Sequence, residues 1–270
     1  MIALTRCGRG LGVVELDRWD NRNNAHDAAQ LFGSTSIPDS ASLSQFVFVP
    51  PEQKFADQGP TQACVGWAIA QLIHVRACVM GLRPICTSPM AIYLQARAKR
   101  YGWNAVTDSG CNPHDALASL REVGIVPYSA WPHCPDRINI TPPPDAYRKG
   151  ADKKWLAYSW VLSSGTRRVL DVARLIAEGR PVGIALRIDD LLESWVPSKP
   201  PWKRTKPAIG GHMMAIVGFH RGNDGRYVFN VANSWGPNHD NGLLLLDQAA
   251  IESNEATYAV TVDIDCGRLP

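Results

Sequence analysis

The sequence predicts an α+β protein, mainly helical in its first half and mainly antiparallel β in its second. Three observations carry that reading. Apolar residues recur at helical spacing before about residue 125, short apolar runs broken by Gly, Asn and Asp dominate after about residue 180, and a proline-rich connection, Pro127 to Pro144, divides them. A helix-rich lobe facing a β-rich lobe leaves a groove between them, where substrates tend to bind.

The elements follow in chain order. Residues 1–36 are polar and weakly patterned and read as an extension wrapping the surface. From Val65, apolar residues recur at Ala68, Ile69, Leu72, Val75 and Val79, and Gly81 with Pro84 ends this first helix. Ser88-Pro89 opens a second, with Ser88 as N-cap and proline at the first helical position. Asn112-Pro113 repeats that signature, with Ala116, Leu117, Leu120 and Val123 as the buried face before Gly124. A further helix spans Val169 to Ile176, closed by Gly179 and Pro181. Strands are predicted at Val182–Ile188, His212–His220, Tyr227–Ala232, Leu243–Leu246 and Tyr258–Ile264. The expected division is an extension (1–36), one domain (37–262, helix-rich over about 55–130 and β-rich over about 180–262) and a tail (263–270).

Bulk properties exclude several classes. A formal charge of +3 over 270 residues, with no dense basic run, argues against nucleic acid. No stretch approaches the roughly 18 apolar residues that span a membrane. The N-terminus lacks the apolar core of a conventional secretory signal, so the chain is expected in the cytoplasm or delivered by a non-classical route. Seven cysteines make an odd count, and without a signal peptide reduced thiols are the expectation. His74, Cys78 and Cys86 begin a metal-ligand spacing but find no fourth ligand, so no metal is expected. Asp189, Asp190 and Glu193 read as a solvated turn, and the basic loop Val196–Pro207 as another, bordering the leaving-group side of the groove.

Cys64 opens the clearest helix, with Thr61 as its expected N-cap. Free N–H groups and the helix dipole favour a thiolate there. Gln58, in the tight Gln58-Gly59-Pro60 approach, can donate an amide hydrogen bond to an oxyanion. His212 follows Gly210-Gly211 at the mouth of an apolar strand, and Asn233-Ser234-Trp235-Gly236 closes the next strand. Asn233 can accept from the imidazole, with Trp235 covering that bond. Each residue alone is ordinary; together they make a nucleophile, a base and an orienter.

These motifs resemble the papain family of cysteine peptidases from about Ile37 to Val262. Gln58-Gly59 stands six residues before Cys64 as the family's oxyanion Gln does. Gly211-His212-Met213-Met214-Ala215-Ile216-Val217 resembles its catalytic His strand, and Asn233-Ser234-Trp235-Gly236 its Asn motif. The Cys-to-His separation, 212 − 64 = 148, falls in the family's range of about 130–150. Ser109-Gly110-Cys111-Asn112 resembles its substrate-binding loop. Departures also occur. The C-G-[SA]-C-[WY] signature is absent, Thr61 replaces its first Cys, Val65 follows the nucleophile, and Gly211 stands where Asp or Asn is common before the His. They imply a divergent bacterial or viral-type member.

The resemblance implies a helical lobe and an antiparallel β-barrel-like lobe with the active site in the cleft between them. Its function would be peptide hydrolysis through a thioester on Cys64, with His212 as base, Asn233 as orienter and Gln58 as oxyanion donor. Gly110, Cys111, Asn112, Met213 and Trp235 are its candidate substrate-binding residues, with no metal or other cofactor. The expected partners are a protein or peptide substrate and a proteinaceous inhibitor, with neither nucleic acid nor membrane. Acyl transfer to an amine, as in a ligase or cross-linking enzyme, and non-catalytic peptide binding are the alternatives. No long pro-region precedes Ile37, so activity is uncontrolled, controlled elsewhere, or limited by residues 1–36.

Overall fold

The structure, a computed structural model, describes residues 10–13, 27–33, 36–103, 107–253 and 255–268. Cys7 and much of the expected extension lie outside the described residues. The short strand β1 (Ser40–Ser42) leads to three helices: α1 (Cys64–Val79), α2 (Pro89–Tyr101) and α3 (Pro113–Val123). The local signals for the last two hold. Ser88 Oγ accepts from Ala91 N at 3.0 Å, and Asn112 Oδ1 accepts from His114 N at 2.8 Å. Gly124 ends α3 at φ 99°, a conformation that favours glycine.

The first helix differs from its expected form. It is buried on nearly every face rather than along one stripe, because it runs through the middle of the molecule between the other helices and the sheet. Its N-cap is Ala63, with no side-chain cap. Thr61 is not the cap because its hydroxyl donates to Gln58 O at 2.6 Å.

The proline-rich connection contains the short helix α4 (Pro144–Arg148) and leads to β2 (Leu156–Trp160) and the helix α5 (Gly165–Ala177). Then come β3 (Val182–Ile188), β4 (Gly210–Arg221), β5 (Tyr227–Ala232), the distorted turn α6 (Asn238–Asn241), β6 (Leu243–Asp247), α7 (Gln248–Glu252) and β7 (Ala256–Ile264). These strands pair antiparallel throughout, in the order β2-β7-β3-β4-β5-β6, with β1 added on β4. The sheet stays open at β2 and β6, so the β lobe is not a closed barrel. β1 and β2 fall outside the predicted β-rich stretch.

Two surface assignments are corrected. Asp189 is fully buried, not a solvated turn: it accepts from Trp202 Nε1, Thr205 N and Lys206 N at 3.1, 2.9 and 3.0 Å. Those bonds also pin the basic loop, whose Trp202 is buried against β6. The extension does not simply wrap the surface either, because Gly10, Leu11 and Gly12 are buried. No described helix is long and apolar enough to cross a membrane.

Candidate active site

The first turn of α1 places Cys64 at the helix N-terminus, with its side chain fully buried. Backbone groups of Met213 and Gly12 lie close enough to its sulfur to favour the thiolate. His212 enters from β4, paired with Leu186 of β3, and its ring is also buried. The end of β5 delivers Asn233, whose Oδ1 accepts from His212 Nε2 at 2.7 Å. Trp235 stacks on the imidazole at 4.3 Å between ring centres and covers that bond. With Nε2 committed, Nδ1 is the free nitrogen, and among the described residues it has no hydrogen-bond partner.

Gln58 is held from several directions. Its N–H donates to Ser234 O at 2.8 Å, and its Oε1 accepts from Ser234 Oγ at 2.7 Å. The residue next to Asn233 thus fixes the side-chain amide so that Nε2 faces inward. That Nε2 donates to Thr61 O at 2.6 Å and to Gly10 O at 2.9 Å.

The second acceptor belongs to the extension. Gly10-Leu11-Gly12-Val13 runs through the groove: Gly12 O accepts from Cys111 N at 2.8 Å, and Val13 N donates to Gly211 O at 3.2 Å. The fit is close enough to require glycine. A Cβ on Gly10 would lie 2.1 Å from Thr61 O, and one on Gly12 1.8 Å from Gln62 O. Gly211, one of the departures before the His, now has a physical reason, since a Cβ there would lie 2.8 Å from Val13 Cβ.

Of the substrate-binding candidates, Gly110 and Cys111 line the groove beside Gly12. Their loop is anchored by Tyr93, which accepts from Gly110 N at 2.9 Å and donates to Asp108 Oδ1 at 2.6 Å. Met213 reaches the sulfur through its backbone, while its side chain packs against Gly183 in the core, because neighbours on a strand face opposite ways. Asn112 caps α3 and donates to Tyr258 Oη at 2.7 Å. Trp235 is fully buried over His212.

Burial sets the electrostatics. It pushes the Cys64 thiol up to about 11, only partly offset by the backbone bonds from Met213 and Gly12. It also pushes His212 down to about 4, against the opposing bond to Asn233. Burial thus favours a neutral thiol and a neutral imidazole over the expected thiolate–imidazolium pair.

Sequence reasoning missed Ser234, His133, which donates to Gln58 O at 3.1 Å, and His239, whose Nδ1 lies 3.5 Å from Asn233 Nδ2. It also missed the part played by Gly10-Leu11-Gly12. The alternating glycines were the only available signal. The six described cysteines form no disulfide, and among the described residues no cluster of His, Cys, Asp or Glu is arranged to hold a metal.

No family model matches the chain, and a search of curated proteins returns no match. Solved structures do match. Xylellain, a cysteine protease from Xylella fastidiosa, superposes with a TM-score of 0.75 at 20% identity, over 98% of this chain and 99% of that one. A digestive procathepsin L 3 from Tenebrio molitor larval midgut gives 0.68 at 15% identity, over 97% and 76%. The bromelain protease from Ananas comosus, in complex with the E64 inhibitor, gives 0.62 at 14% identity, over 84% and 100%. At such low identities the similarity is one of architecture, and it agrees with the helix–sheet arrangement described above. The chain has the papain-like cysteine-peptidase fold.

Proposed function

We propose that the chain is a cysteine endopeptidase, held latent by its own residues 10–13. The observation that carries this reading is the 2.7 Å bond from His212 Nε2 to Asn233 Oδ1, beside a thiol at a helix N-terminus. Once the groove is open, the thiol passes its proton to His212 Nδ1 and the sulfur attacks the scissile carbonyl carbon. Gln58 Nε2 and the Cys64 N–H stabilise the oxyanion. The intermediate collapses to a thioester as His212 protonates the leaving amine. Water, deprotonated by His212, then releases the acid and restores the thiol. Asn233 holds the imidazole as a carboxylate does in serine triads.

The backbone of Gly110–Cys111 and the Gly211 carbonyl are the groups a peptide substrate would pair with. They now pair with Gly12 and Val13, and this supports latency by occupation. The test uses the full chain carrying Gly12→Val, whose side chain cannot fit beside Gln62 O. That variant should cleave a fluorogenic peptide library faster than the native chain, and adding Cys64→Ala should remove the cleavage. Cleavage surviving without the Cys64 thiol would refute the assignment.

A further inference from the structure

We infer that His133 is a positioning residue for the oxyanion donor, holding the Gln58 turn through its backbone carbonyl. The inference rests on the peptidase reading of Cys64. An oxyanion donor works only if its N–H groups stand where charge develops before the reaction starts. Ser234 holds the Gln58 side chain and also its backbone N–H, which leaves the carbonyl end of the residue to be anchored separately. Gln58 O receives two donors, Thr61 Oγ1 at 2.6 Å and His133 Nε2 at 3.1 Å. The first comes from the same turn; the second arrives from 75 residues away in sequence.

A carbonyl only accepts, so His133 must carry its proton on Nε2. Its Nδ1 is buried and has no hydrogen-bond partner among the described residues. Nothing holds the ring at that nitrogen, so its orientation is set by the Gln58 bond and by packing. The ring meets Trp67 of α1 edge-on, 5.2 Å between centres at 69°. Trp67 lies one turn beyond Cys64, so His133 ties the oxyanion turn to the nucleophile's own helix. Two residues on, Pro135 packs over Gly59, the residue after Gln58. Burial pushes His133 down to about 4, which keeps it a neutral single donor near neutral pH.

A double-mutant cycle in the Gly12→Val chain tests the role. His133→Ala should lower kcat about 10-fold, part of the roughly 10²-fold loss seen when a whole oxyanion donor is removed, with KM within about twofold. In a Gln58→Ala background, His133→Ala should have no further effect on kcat. His133→Gln, which offers an amide N–H to the same carbonyl, should recover most of the rate. Equal losses with and without Gln58, or a His133→Gln variant as slow as His133→Ala at unchanged Tm, would overturn the inference and leave the peptidase assignment standing. If cleavage does not depend on Cys64, the reaction fails and the inference with it. Nitrogen-15 NMR of the native chain gives a readout without turnover, and without requiring His133→Ala to fold: the Nε2–H tautomer is expected, and the Nδ1–H form would overturn the proposed bond.

Discussion

The two walls of the groove are built on different principles. The sheet wall fixes its side chains from within: His212 is held by Asn233 and roofed by Trp235, and Asn233 is held by Ser234 N and Gly242 O, while the Gly211 carbonyl turns to the segment in the groove. The helical wall does not. Gln58 Nε2 donates to Gly10 O, Cys111 N donates to Gly12 O, and the Gly12 backbone lies against the Cys64 sulfur. An orienting base needs only rigid neighbours, whereas groups that stabilise a transient oxyanion and bind a peptide backbone must be open to an incoming chain. In this state residues 10–13 are that chain. On the reading proposed above, the wall that carries the oxyanion donor is the one that a few glycines fill.

The largest effect expected from breaking the contrast is at the nucleophile. In the Gly12→Val chain, Cys64→Ala should lower kcat by more than about 10³-fold, as loss of a nucleophile does in related chemistry, with far-UV and near-UV CD unchanged. Gly12→Val itself should next raise the rate of iodoacetamide alkylation at Cys64. A thiol at about 11 is thiolate in about one molecule in 10⁴ at pH 7, so even a two-unit fall raises the reactive fraction roughly 100-fold. Peptide mapping with Cys78, Cys86, Cys134 and Cys266 as references reads the change. An unaltered Cys64 rate would mean that residues 10–13 do not control access. Gln58→Ala should lower kcat about 10²-fold; a change in KM alone would remove Gln58 from the oxyanion hole.

Acid should separate the two walls from bulk solvent effects. His212 and His133 are both held near 4 by burial, below the 6.5 of an unfolded chain. The unfolded state then binds more protons between those values. Their contribution to stability is complete above about pH 6.5 and is lost as the pH falls toward 4, at roughly 1.4 kcal/mol per pH unit for each. The urea midpoint should therefore fall between pH 7 and pH 5. In His212→Asn or His133→Asn the slope should be shallower; a slope untouched by both would mean neither ring is held neutral.

The fold was legible where the signal was local. Ser88-Pro89, Asn112-Pro113 and Gly124 announce helix ends through bonds made within four residues, and the structure places those ends where the residues predict. Cys64, His212 and Asn233 were legible through their spacing and flanking motifs, and the structure brings His212 and Asn233 together. What was hidden depends on distant partners. β1 is only Ser-Ala-Ser, and its pairing is supplied by β4 nearly 180 residues later. Thr61 looks like a cap until Gln58 O competes for its hydroxyl. Likewise His133, an isolated histidine among prolines, carries no pattern that points to Gln58. The raised thiol pKa was invisible for the same reason, since a helix N-terminus predicts the opposite shift and the burial that overrides it comes from tertiary packing.

The smallest effect is expected at the basic loop, where the structure changes the argument. Read as solvated, Lys203, Arg204 and Lys206 would project positive charge toward the leaving-group side. Two of the three are instead paired, Lys206 with Asp190 at 3.1 Å and Arg204 with Glu255. Their field beyond the surface is largely cancelled, and exposed charges are screened within about 8–10 Å at physiological salt. Changing all three to Gln should thus alter the preference for acidic residues beyond the scissile bond by less than about twofold, and Tm by little, since such partly exposed pairs contribute about 0–1 kcal/mol. Asp189→Asn should do more, because it weakens an acceptor serving three backbone amides and the Trp202 indole in a fully buried position. That loop leads into β4, and the Leu192 carbonyl beside it accepts from His239 Nε2 at 2.8 Å, with the His239 ring 5.8 Å from Trp235. If the triple variant shifted specificity more than Asp189→Asn altered kcat, the loop would act through charge; the reverse order would make it a brace for the sheet wall.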